Sequence, residues 1–368
     1  MTAMRVAVLG AGGTIAPAIV RDLAESEEIS DLRLLDLDEA RASSVASTQG
    51  GGKARPREVD ARSPGALAAA LADSDVLVNS ASYRVNLEAM RACLDAGCHY
   101  LDLGGLYWMT RRQLALDEEF RRHDLLAILG MGSSPGKTNV MAEKAVSELG
   151  ERPSRVDVIA GGRDLDPPDG FSVPYALRTL VDELTLAPIA IRDGKPEELE
   201  PLASGGSVRF PEPIGTAETI YTLHSEMLTF PDSFGCRTGS FRLSLAPALL
   251  ERLRELASAS DEEIERAAHE ALPPSAATVS VHMVEAEADG RLVRVTAVTR
   301  PQEQWGLGGG IVSTAATAAA AVRLLGRRRL GERGALPPES CVHPDDLFPE
   351  VARRGCTFTI EREAAVVT

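Results

Sequence analysis

The opening of the chain carries the pattern that most limits its possible folds. Residues 4–16 read MRVAVLGAGGTIA, an apolar run that ends in clustered glycines and passes directly into a helix-like segment. In such a turn one glycine allows the sharp bend, a second lets the backbone approach a pyrophosphate, and the following helix directs its positive end at the phosphates. The pattern therefore predicts the start of a dinucleotide-binding domain. The residues of this turn that are expected to bind the cofactor are Gly10, Gly12, Gly13, Thr14 and Ile15.

The glycine spacing admits two versions of this turn. A strict GxGxxG count from Gly10 places Ile15 at the third position, where close packing of the helix on the strand normally requires glycine. Gly10, Gly13 and Ala16 instead fit a GxxGxxG spacing with alanine as the small third residue. A glycine-rich turn that binds no ligand is the alternative for the motif taken alone.

A carboxylate follows at the distance expected for ribose recognition. The apolar residues 32–35 predict a second strand that ends at Asp36, where a carboxylate accepts hydrogen bonds from the adenosine ribose hydroxyls. Asp36 and nearby Asp38 would repel a 2′-phosphate, which favours NAD over NADP. Arg41 or Arg55 could offset that repulsion, so NADP stays possible, and a solvated strand end is the alternative for Asp36.

Strand-like and helix-like segments alternate regularly over about the first 130 residues. Six predicted strands separated by helices are typical of a Rossmann-type doubly wound parallel sheet. From about residue 153 the alternation stops, and residues 278–299 form two alternating runs joined by Asp289 and Gly290, which favour the type I′ turn of a hairpin. We therefore expect an α/β protein with a second α+β domain that contains a mixed or antiparallel sheet.

The predicted domain boundaries follow these changes in pattern. Residues 1–140 form the NAD(P)-binding domain, and residues 141–307 form a domain for substrate binding and dimerisation. Residues 308–368 begin with glycines and a run of very small residues that permits close packing. They are expected to return to the first domain.

Charge and cysteine content limit the possible partners. The 368-residue chain has a formal net charge of -15, which opposes nucleic-acid binding because that binding relies on a basic surface. Its five cysteines are scattered without metal-ligand spacing, which indicates a reducing cytoplasm and no metal site. No charged leader precedes the first strand, and residues 311–325 are too short and too rich in alanine and threonine to span a bilayer, so no membrane association is expected.

Polar and glycine-rich loops follow three of the predicted parallel strands, and ligands bind at the carboxyl ends of such strands. Further cofactor contacts are expected from Asn79, Ser80, Ala81 and Gly104. A GKT sequence ends the third loop, but a P-loop requires a glycine five positions before Gly136, and that position is Met131. Lys137 is instead expected at a helix start that faces an anion such as a substrate carboxylate, with a solvated lysine as the alternative.

The sequence YTLHSE, residues 221–226, gathers several polar side chains in the predicted second domain. His224 could exchange a proton with a substrate amine while Glu226 orients it or pairs with the amine charge. Together with Tyr83 and Lys137, these two residues are the candidates for substrate contact or proton transfer. A histidine held in an internal hydrogen-bond network is the alternative for His224.

Four segments in order, GAGGTIA, AGCHYLDLGG, GMGSSPGKTN and YTLHSE, resemble the saccharopine dehydrogenase family. Residues 333–355 are most similar to bacterial L-lysine 6-dehydrogenases. The resemblance implies a Rossmann domain with a second α/β domain that carries a mixed sheet, often in a dimer, and a nicotinamide cofactor that serves to oxidise or form carbon–nitrogen bonds. Family members commonly have glycine where Ile15 stands, and they differ in their catalytic residues.

The residues and the resemblance together predict an NAD(P)-dependent oxidoreductase that acts on the CH–NH or CH–NH2 group of an amino acid, such as lysine. We expect a cytoplasmic homodimer with NAD as cofactor. One alternative is an NADPH-dependent imine reductase of the saccharopine or carboxynorspermidine type. Another is a non-catalytic protein that senses a dinucleotide.

Overall fold

The computed structural model describes residues 3–63 and 65–364, which divide into two compact units. The first unit contains Met1–Lys137 and Thr314–Val351, and the second contains Thr138–Ser313 and Ala352–Thr368. Each unit is built around its own β-sheet.

Over the described residues the chain forms sixteen strands and thirteen α-helices. In chain order the strands are β1 (Met4–Leu9), β2 (Ile29–Asp36), β3 (Ala54–Glu58), β4 (Val76–Asn79), β5 (His99–Asp102), β6 (Leu126–Ile128), β7 (Arg155–Asp164), β8 (Ile189–Arg192), β9 (Lys195–Glu198), β10 (Ser204–Arg209), β11 (Thr216–Tyr221), β12 (Thr238–Ser244), β13 (Thr278–Ala288), β14 (Arg291–Thr299), β15 (Gly334–Leu336) and β16 (Cys356–Ala364). The helices are α1 (Ala16–Ala24), α2 (Glu39–Gln49), α3 (Ala66–Leu71), α4 (Asn86–Ala96), α5 (Leu106–Leu114), α6 (Asp117–Arg122), α7 (Lys137–Leu149), α8 (Leu177–Thr185), α9 (Glu226–Phe234), α10 (Pro247–Leu256), α11 (Asp261–Glu270), α12 (Gly309–Gly326) and α13 (Pro344–Ala352).

The sheet of the first unit is parallel throughout, in the order β15-β6-β5-β4-β1-β2-β3. Strands β1 and β4 are nearly continuous buried runs, as strands covered on both faces must be. Leu77, Tyr100 and Phe120 are among the side chains buried in the core of this unit. The order 3-2-1-4-5-6 is that of the doubly wound dinucleotide-binding fold, so the predicted sheet is confirmed. Ligands bind such folds where the order reverses, which here is beside the carboxyl ends of β1 and β4.

The second unit contains a mixed sheet in the order β10-β11-β12-β7-β13-β14-β16, with β8 and β9 added beside β12. Strands β7 and β12 run parallel, whereas the other paired strands run antiparallel. The predicted hairpin is present as β13 and β14, and its turn residues Asp289 and Gly290 have φ angles of 43° and 75°. A type I′ turn requires both angles to be positive. The predicted second domain with a mixed sheet is therefore confirmed.

The end of the chain departs from the prediction that residues 308–368 return to the first domain. Thr314–Val351 belongs to the first unit, where β15 adds a seventh strand to the sheet. Strand β16, however, pairs with β14 along its length, from Cys356 opposite Thr299 to Ala364 opposite Arg291. Residues 356–360 of β16 alternate between apolar side chains and threonines, and residues 361–363 are all charged, which suits the exposed edge of an antiparallel sheet.

Helix α12 has 18 residues and is long and apolar enough to cross a membrane by length and composition alone. The helix is thus longer than residues 311–325, for which the sequence predicted a segment too short to span a bilayer. Because 78% of the helix is buried inside the protein, it has the character of a core helix. Its Arg323 pairs with Asp22 of α1 and Glu350 of α13, at 2.7 Å each, which fixes the returning segment to the first unit.

Candidate functional site

The turn between β1 and α1 lies directly against the loop that follows β4. Gly10 has a φ of 73°, and a Cβ added to it would lie 2.7 Å from the Cα and the nitrogen of Ala81. The Gly13 N–H donates to the Gly10 carbonyl at 3.0 Å, which closes the turn. Only glycine fits position 10 without displacing the neighbouring loop.

Helix α1 begins without a side-chain cap. Its N-cap residue Ile15 is half-buried and makes no capping hydrogen bond, and Ala16, the first helical residue, is almost fully buried. The small residue of the motif is therefore Ala16, so the spacing of Gly10, Gly13 and Ala16 describes this turn better than GxGxxG. A helix start that no side chain caps fits a phosphate group.

Asp36 joins the end of β2 to the glycine turn. Its Oδ2 accepts a hydrogen bond from the Gly12 N–H at 2.8 Å, and its Oδ1 accepts one from the Asp38 N–H at 3.0 Å. Each carboxylate oxygen keeps a second lone pair with which it can accept a ribose hydroxyl. Arg41 pairs with Asp38 at 3.4 Å, and its side chain packs against Gly12. The structure thus places the predicted carboxylate next to Gly12, with an arginine beside both.

The residues after β4 are held by hydrogen bonds to β1 and to buried amides. Ser80 donates to the Leu9 carbonyl from its N–H at 2.9 Å and from its hydroxyl at 2.7 Å. Buried Asn79 accepts from the Ala81 N–H at 3.1 Å and donates to Asn86 Oδ1 at 2.9 Å. These contacts fix the loop that faces the glycine turn.

Gly104 and the loop after β6 meet around Pro135. Gly104 has a φ of 136° and Gly130 a φ of 83°, and Cβ atoms added to them would lie 3.0 and 2.6 Å from the Pro135 ring. Asp102, the last residue of β5, accepts hydrogen bonds from both glycine N–H groups. Asp102 was not among the predicted residues, although a carboxylate at the end of a parallel strand and next to glycines is a usable signal.

Two of the predicted substrate residues belong to the first unit. Tyr83 begins a short 3-10 helix after β4 and is partly exposed, with the Arg84 guanidinium 5.9 Å from its ring centre. Lys137 is the first residue of α7 and is fully buried, so the alternative of a solvated lysine is wrong. The roles of Tyr83 and Lys137 toward a substrate stay predictions.

The second unit gathers a buried histidine and two buried carboxylates. His224 Nδ1 lies 3.5 Å from Glu226 Oε2, and His224 Nε2 lies 3.9 Å from Glu183 Oε2. Tyr175 donates its hydroxyl to Glu183, and Thr138 donates its hydroxyl to Glu226 Oε1 at 2.8 Å. The side chains of His224, Glu183 and Glu226 are only 6%, 7% and 0% exposed. The structure therefore brings the predicted pair together and adds a second carboxylate on the other side of the ring.

The charges in this cluster depend on one another. Burial opposes protonation of His224, but the contact with Glu226 and the charges of both carboxylates outweigh it and raise the pKa of His224 above 6.5. Burial opposes ionisation of Glu226, but His224 holds the pKa of Glu226 below its usual value. Burial raises the pKa of Glu183, and neighbouring Glu226 adds to that rise. The cluster therefore favours an imidazolium paired with an ionised Glu226.

Sequence reasoning missed Glu183 and Tyr175. In α8, Leu177, Leu180 and Leu184 recur at helical spacing, and Glu183 lies three residues after Leu180 on the same face. An acid within the apolar stripe of a helix indicates a buried carboxylate that needs a partner. No comparable signal in the sequence connects Tyr175 with Glu183.

Comparisons with known proteins find a family model that matches much of the first unit. Residues 6–128 match the family model described as the saccharopine dehydrogenase NADP binding domain. Carboxyaminopropylagmatine dehydrogenase of Synechocystis sp. is 25% identical over 264 residues, which cover 68% of this chain and 65% of that protein. The match thus spans slightly less than two thirds of the length of that relative.

Solved structures show the same fold over nearly the whole chain. Saccharopine dehydrogenase (L-Glu forming) of Saccharomyces cerevisiae has a TM-score of 0.73 at 15% identity, covering 98% of this chain and 100% of that one. Homospermidine synthase of Legionella pneumophila, solved in complex with NAD, has a TM-score of 0.69 at 13% identity, covering 97% of this chain and 91% of that one.

Proposed function

We propose that this protein is an NAD(P)-dependent oxidoreductase that acts on the CH–NH or CH–NH2 group of an amino acid or a related amine, because residues 6–128 match the saccharopine dehydrogenase NADP binding domain. The observation that carries this proposal is the buried His224 with a carboxylate on either side. Such a group can take a proton from an amine or return one to it.

The first unit fits a dinucleotide. Position 10 has no room for a Cβ, α1 begins without a side-chain cap, and Asp36 stands at the end of β2 next to the turn. When bound, the nicotinamide ring supplies a hydride acceptor or donor. The residues proposed to hold the cofactor are Gly10, Gly12, Gly13, Thr14, Ile15, Asp36, Asn79, Ser80, Ala81 and Gly104.

In the proposed oxidation, the substrate carbon loses a hydride, its nitrogen loses a proton, and a carbon–nitrogen double bond forms. His224 receives the proton when its ring is neutral, and the ring contacts both Glu183 and Glu226. The two carboxylates favour the positive charge that develops on the nitrogen. Tyr83 and Lys137 are proposed substrate contacts, with Lys137 pairing with a substrate carboxylate.

Lysine or a related amino acid is the first substrate we propose, because residues 333–355 resemble L-lysine 6-dehydrogenases. Reduction of an imine, with NADPH as the donor, is the second candidate. The similarity to carboxyaminopropylagmatine dehydrogenase supports this second candidate.

A substrate screen tests the proposal and separates its two forms. Purified protein is mixed with NAD or NADP and a panel of amino acids, diamines and agmatine derivatives, and formation of reduced cofactor is followed by absorbance. The reverse assay supplies an amine, a carbonyl acid and reduced cofactor. Cofactor binding without turnover in either direction would contradict an enzyme and favour the dinucleotide sensor.

Assembly and location are further parts of the proposal. A homodimer is proposed because members of the family that the sequence resembles are often dimeric, and a cytoplasmic location is proposed because the five cysteines are scattered. Light scattering after size exclusion measures the mass in solution, and a monomer at assay concentrations would contradict the dimer.

A further inference from the structure

We propose that Asp102 is a positioning residue that holds the loops after β4, β5 and β6 in the arrangement that cofactor binding requires. The inference rests on the proposed oxidoreductase function. It extends that function by assigning the shape of three separate loops to one buried carboxylate at the end of β5.

One oxygen of Asp102 fixes two backbone loops. Oδ1 accepts the N–H of Gly104 at 2.9 Å and the N–H of Gly130 at 2.7 Å, while the Asp102 carbonyl accepts the Met131 N–H at 2.6 Å. Strands β5 and β6 are parallel neighbours, so their carboxyl ends lie side by side at the ligand-binding edge of the sheet. Asp102 therefore ties together the two loops that leave this edge.

The other oxygen is held by three buried side chains. Oδ2 accepts the Tyr100 hydroxyl at 2.8 Å, the Asn86 amide at 3.0 Å and the Gln113 amide at 2.6 Å. Asn86 in turn accepts a hydrogen bond from Asn79, the last residue of β4. The network thus runs from the carboxylate to the loop that faces the glycine turn.

The backbone beside this network is strained. Leu106 has a φ of 51°, a left-handed conformation that a branched side chain rarely adopts. Position 105 has no room for a side chain, because a Cβ added to Gly105 would lie 2.4 Å from Gln113 Oε1. Strained backbone persists where the surroundings hold it, and the hydrogen bond from Gln113 to Asp102 is part of that restraint.

Five donors on one side chain call for an ionised carboxylate, since a protonated acid would direct its own hydrogen at one of them. Burial raises the pKa of Asp102, and the hydrogen bonds from Gln113 and Tyr100 oppose that rise. Burial also raises the pKa of Tyr100 far above its usual range, so its hydroxyl stays neutral and donates. The network therefore has one charge and a full set of donors around it.

Asp102→Asn is the central variant. The amide keeps one oxygen for Gly104 and Gly130, but it turns an NH2 group toward the other three donors. Asn86 cannot simply reverse its amide, because its oxygen already accepts from Asn79. Tyr100→Phe removes one donor and leaves the carboxylate in place, so it is the milder variant.

Asp117→Asn is the matched control. Asp117 Oδ1 also accepts a backbone N–H, from Ala335 at 3.0 Å, but this contact holds the edge strand β15 of the same sheet. The control also keeps one oxygen for a backbone N–H and loses a carboxylate charge, here the one that pairs with Arg121 at 2.6 Å, without touching the three loops. It is expected to lower the melting temperature and to leave cofactor affinity and kcat unchanged.

Three measurements are made on each variant of the full-length protein: the Kd for NAD and NADP, kcat and KM for the substrate, and hydrogen exchange of peptides that contain Gly104 and Gly130. For Asp102→Asn we expect about tenfold weaker cofactor binding, a lower kcat with little change in substrate KM, and faster exchange in both loops. For Tyr100→Phe we expect the same changes at about two- to threefold.

The outcomes separate this inference from the proposed function. If the wild-type enzyme is active and Asp102→Asn matches it in cofactor affinity, turnover and loop exchange, that result overturns the positioning role alone. A wild-type protein without turnover overturns the proposed function, and unchanged loop exchange in Asp102→Asn then also overturns the positioning role. If Asp102→Asn does not fold, Tyr100→Phe decides, and unchanged exchange in that variant overturns the inference.

Discussion

The ring of His224 stacks on the ring of Phe241, with 3.5 Å between the ring centres and 11° between the planes. Phe241 lies in β12, so the central sheet of the second unit sets the plane of the imidazole. In that plane one ring nitrogen faces Glu226 and the other faces Glu183. Packing therefore decides the orientation of the proposed acid or base, and the two carboxylates decide its charge.

Replacing His224 by glutamine tests this assignment. Loss of a group that transfers a proton is expected to lower kcat by about a hundredfold or more. Cofactor affinity is expected to stay near the wild-type value, because the predicted cofactor residues belong to the first unit. Steady-state kinetics and a cofactor titration measure the two effects separately.

His269→Gln is the matched control, because His269 is exposed on α11. This variant is expected to keep wild-type kcat and stability. Equal turnover in His224→Gln and His269→Gln would contradict a role for His224 in proton transfer and support the purely internal hydrogen-bond network.

The pH dependence of activity distinguishes the two proposed directions. Glu226 and Glu183 raise the pKa of His224 above 6.5 against the effect of burial. An amine oxidation that needs neutral imidazole should show kcat/KM rising with pH, with its midpoint above 6.5. An imine reduction that needs imidazolium should show kcat/KM falling through the same midpoint. A profile with no inflection above the ordinary histidine range would argue against His224 in either role.

Stability should depend on pH through the same residue. The pKa of His224 is higher in the folded protein than the unfolded value near 6.5, so its stabilising contribution is complete below that pH and is lost as pH rises through the folded pKa. We expect the free energy of unfolding to fall as pH rises above about 6.5 in the wild type. Urea titrations of His224→Gln should show a smaller fall over this window, and an equal fall in both proteins would assign it to other groups.

Much of the fold follows from local patterns in the sequence, because those patterns report contacts between near neighbours. The turn glycines, Asp36 at the end of β2 and the Asp289–Gly290 hairpin each depend on positions a few residues apart or on one strand end. Residues 356–364 instead pair with β14 of the second sheet. The expectation for residues 308–368 rested on the small residues at the start of that segment, which do not identify the neighbours of a strand further along the chain.

The side-chain clusters depend on distant residues and were only half predicted. Glu183 reaches His224 across 41 positions, and Asp102 receives the Gly130 amide across 28. No periodic pattern in the sequence predicts such pairs, because the pattern of a helix or strand reports only which face of that element is buried. The sequence likewise leaves open whether the third residue of the glycine motif is Ile15 or Ala16. The burial of Ala16 identifies it as the small residue of the motif, and that burial is visible only in the structure.

Asp36→Asn tests the choice between the two cofactors. Asparagine keeps an oxygen for the Gly12 N–H but removes the charge that favours ribose hydroxyls over a 2′-phosphate. We expect NAD to bind about tenfold more weakly and the ratio of NADP to NAD affinity to rise.

Asp38→Asn is the control for charge alone. Asp38 caps α2 by accepting the N–H groups of Ala40 and Arg41, and asparagine caps helices as well as aspartate does. This variant removes an equal charge but leaves the contact with Gly12 intact, so the affinity ratio should change much less. If the ratio of NADP to NAD affinity changes more in Asp38→Asn than in Asp36→Asn, then Asp38 and not Asp36 determines the cofactor preference.

Gly10→Ala tests the close approach of the two loops in the first unit. Gly10 and Gly52 both have left-handed φ angles, of 73° and 79°, so alanine costs about 1 kcal/mol of backbone strain at either position. At Gly52 nothing lies within 4 Å of the added Cβ, whereas at Gly10 the backbone of Ala81 lies 2.7 Å away. Gly52→Ala should therefore lose only the strain energy and bind the cofactor normally.

Gly10→Ala should lose at least 1 kcal/mol more in urea denaturation, because the loops must separate, and its cofactor binding should fall by more than tenfold. Equal losses of stability with unchanged cofactor binding in both variants would show that the contact between Gly10 and Ala81 does not shape the site.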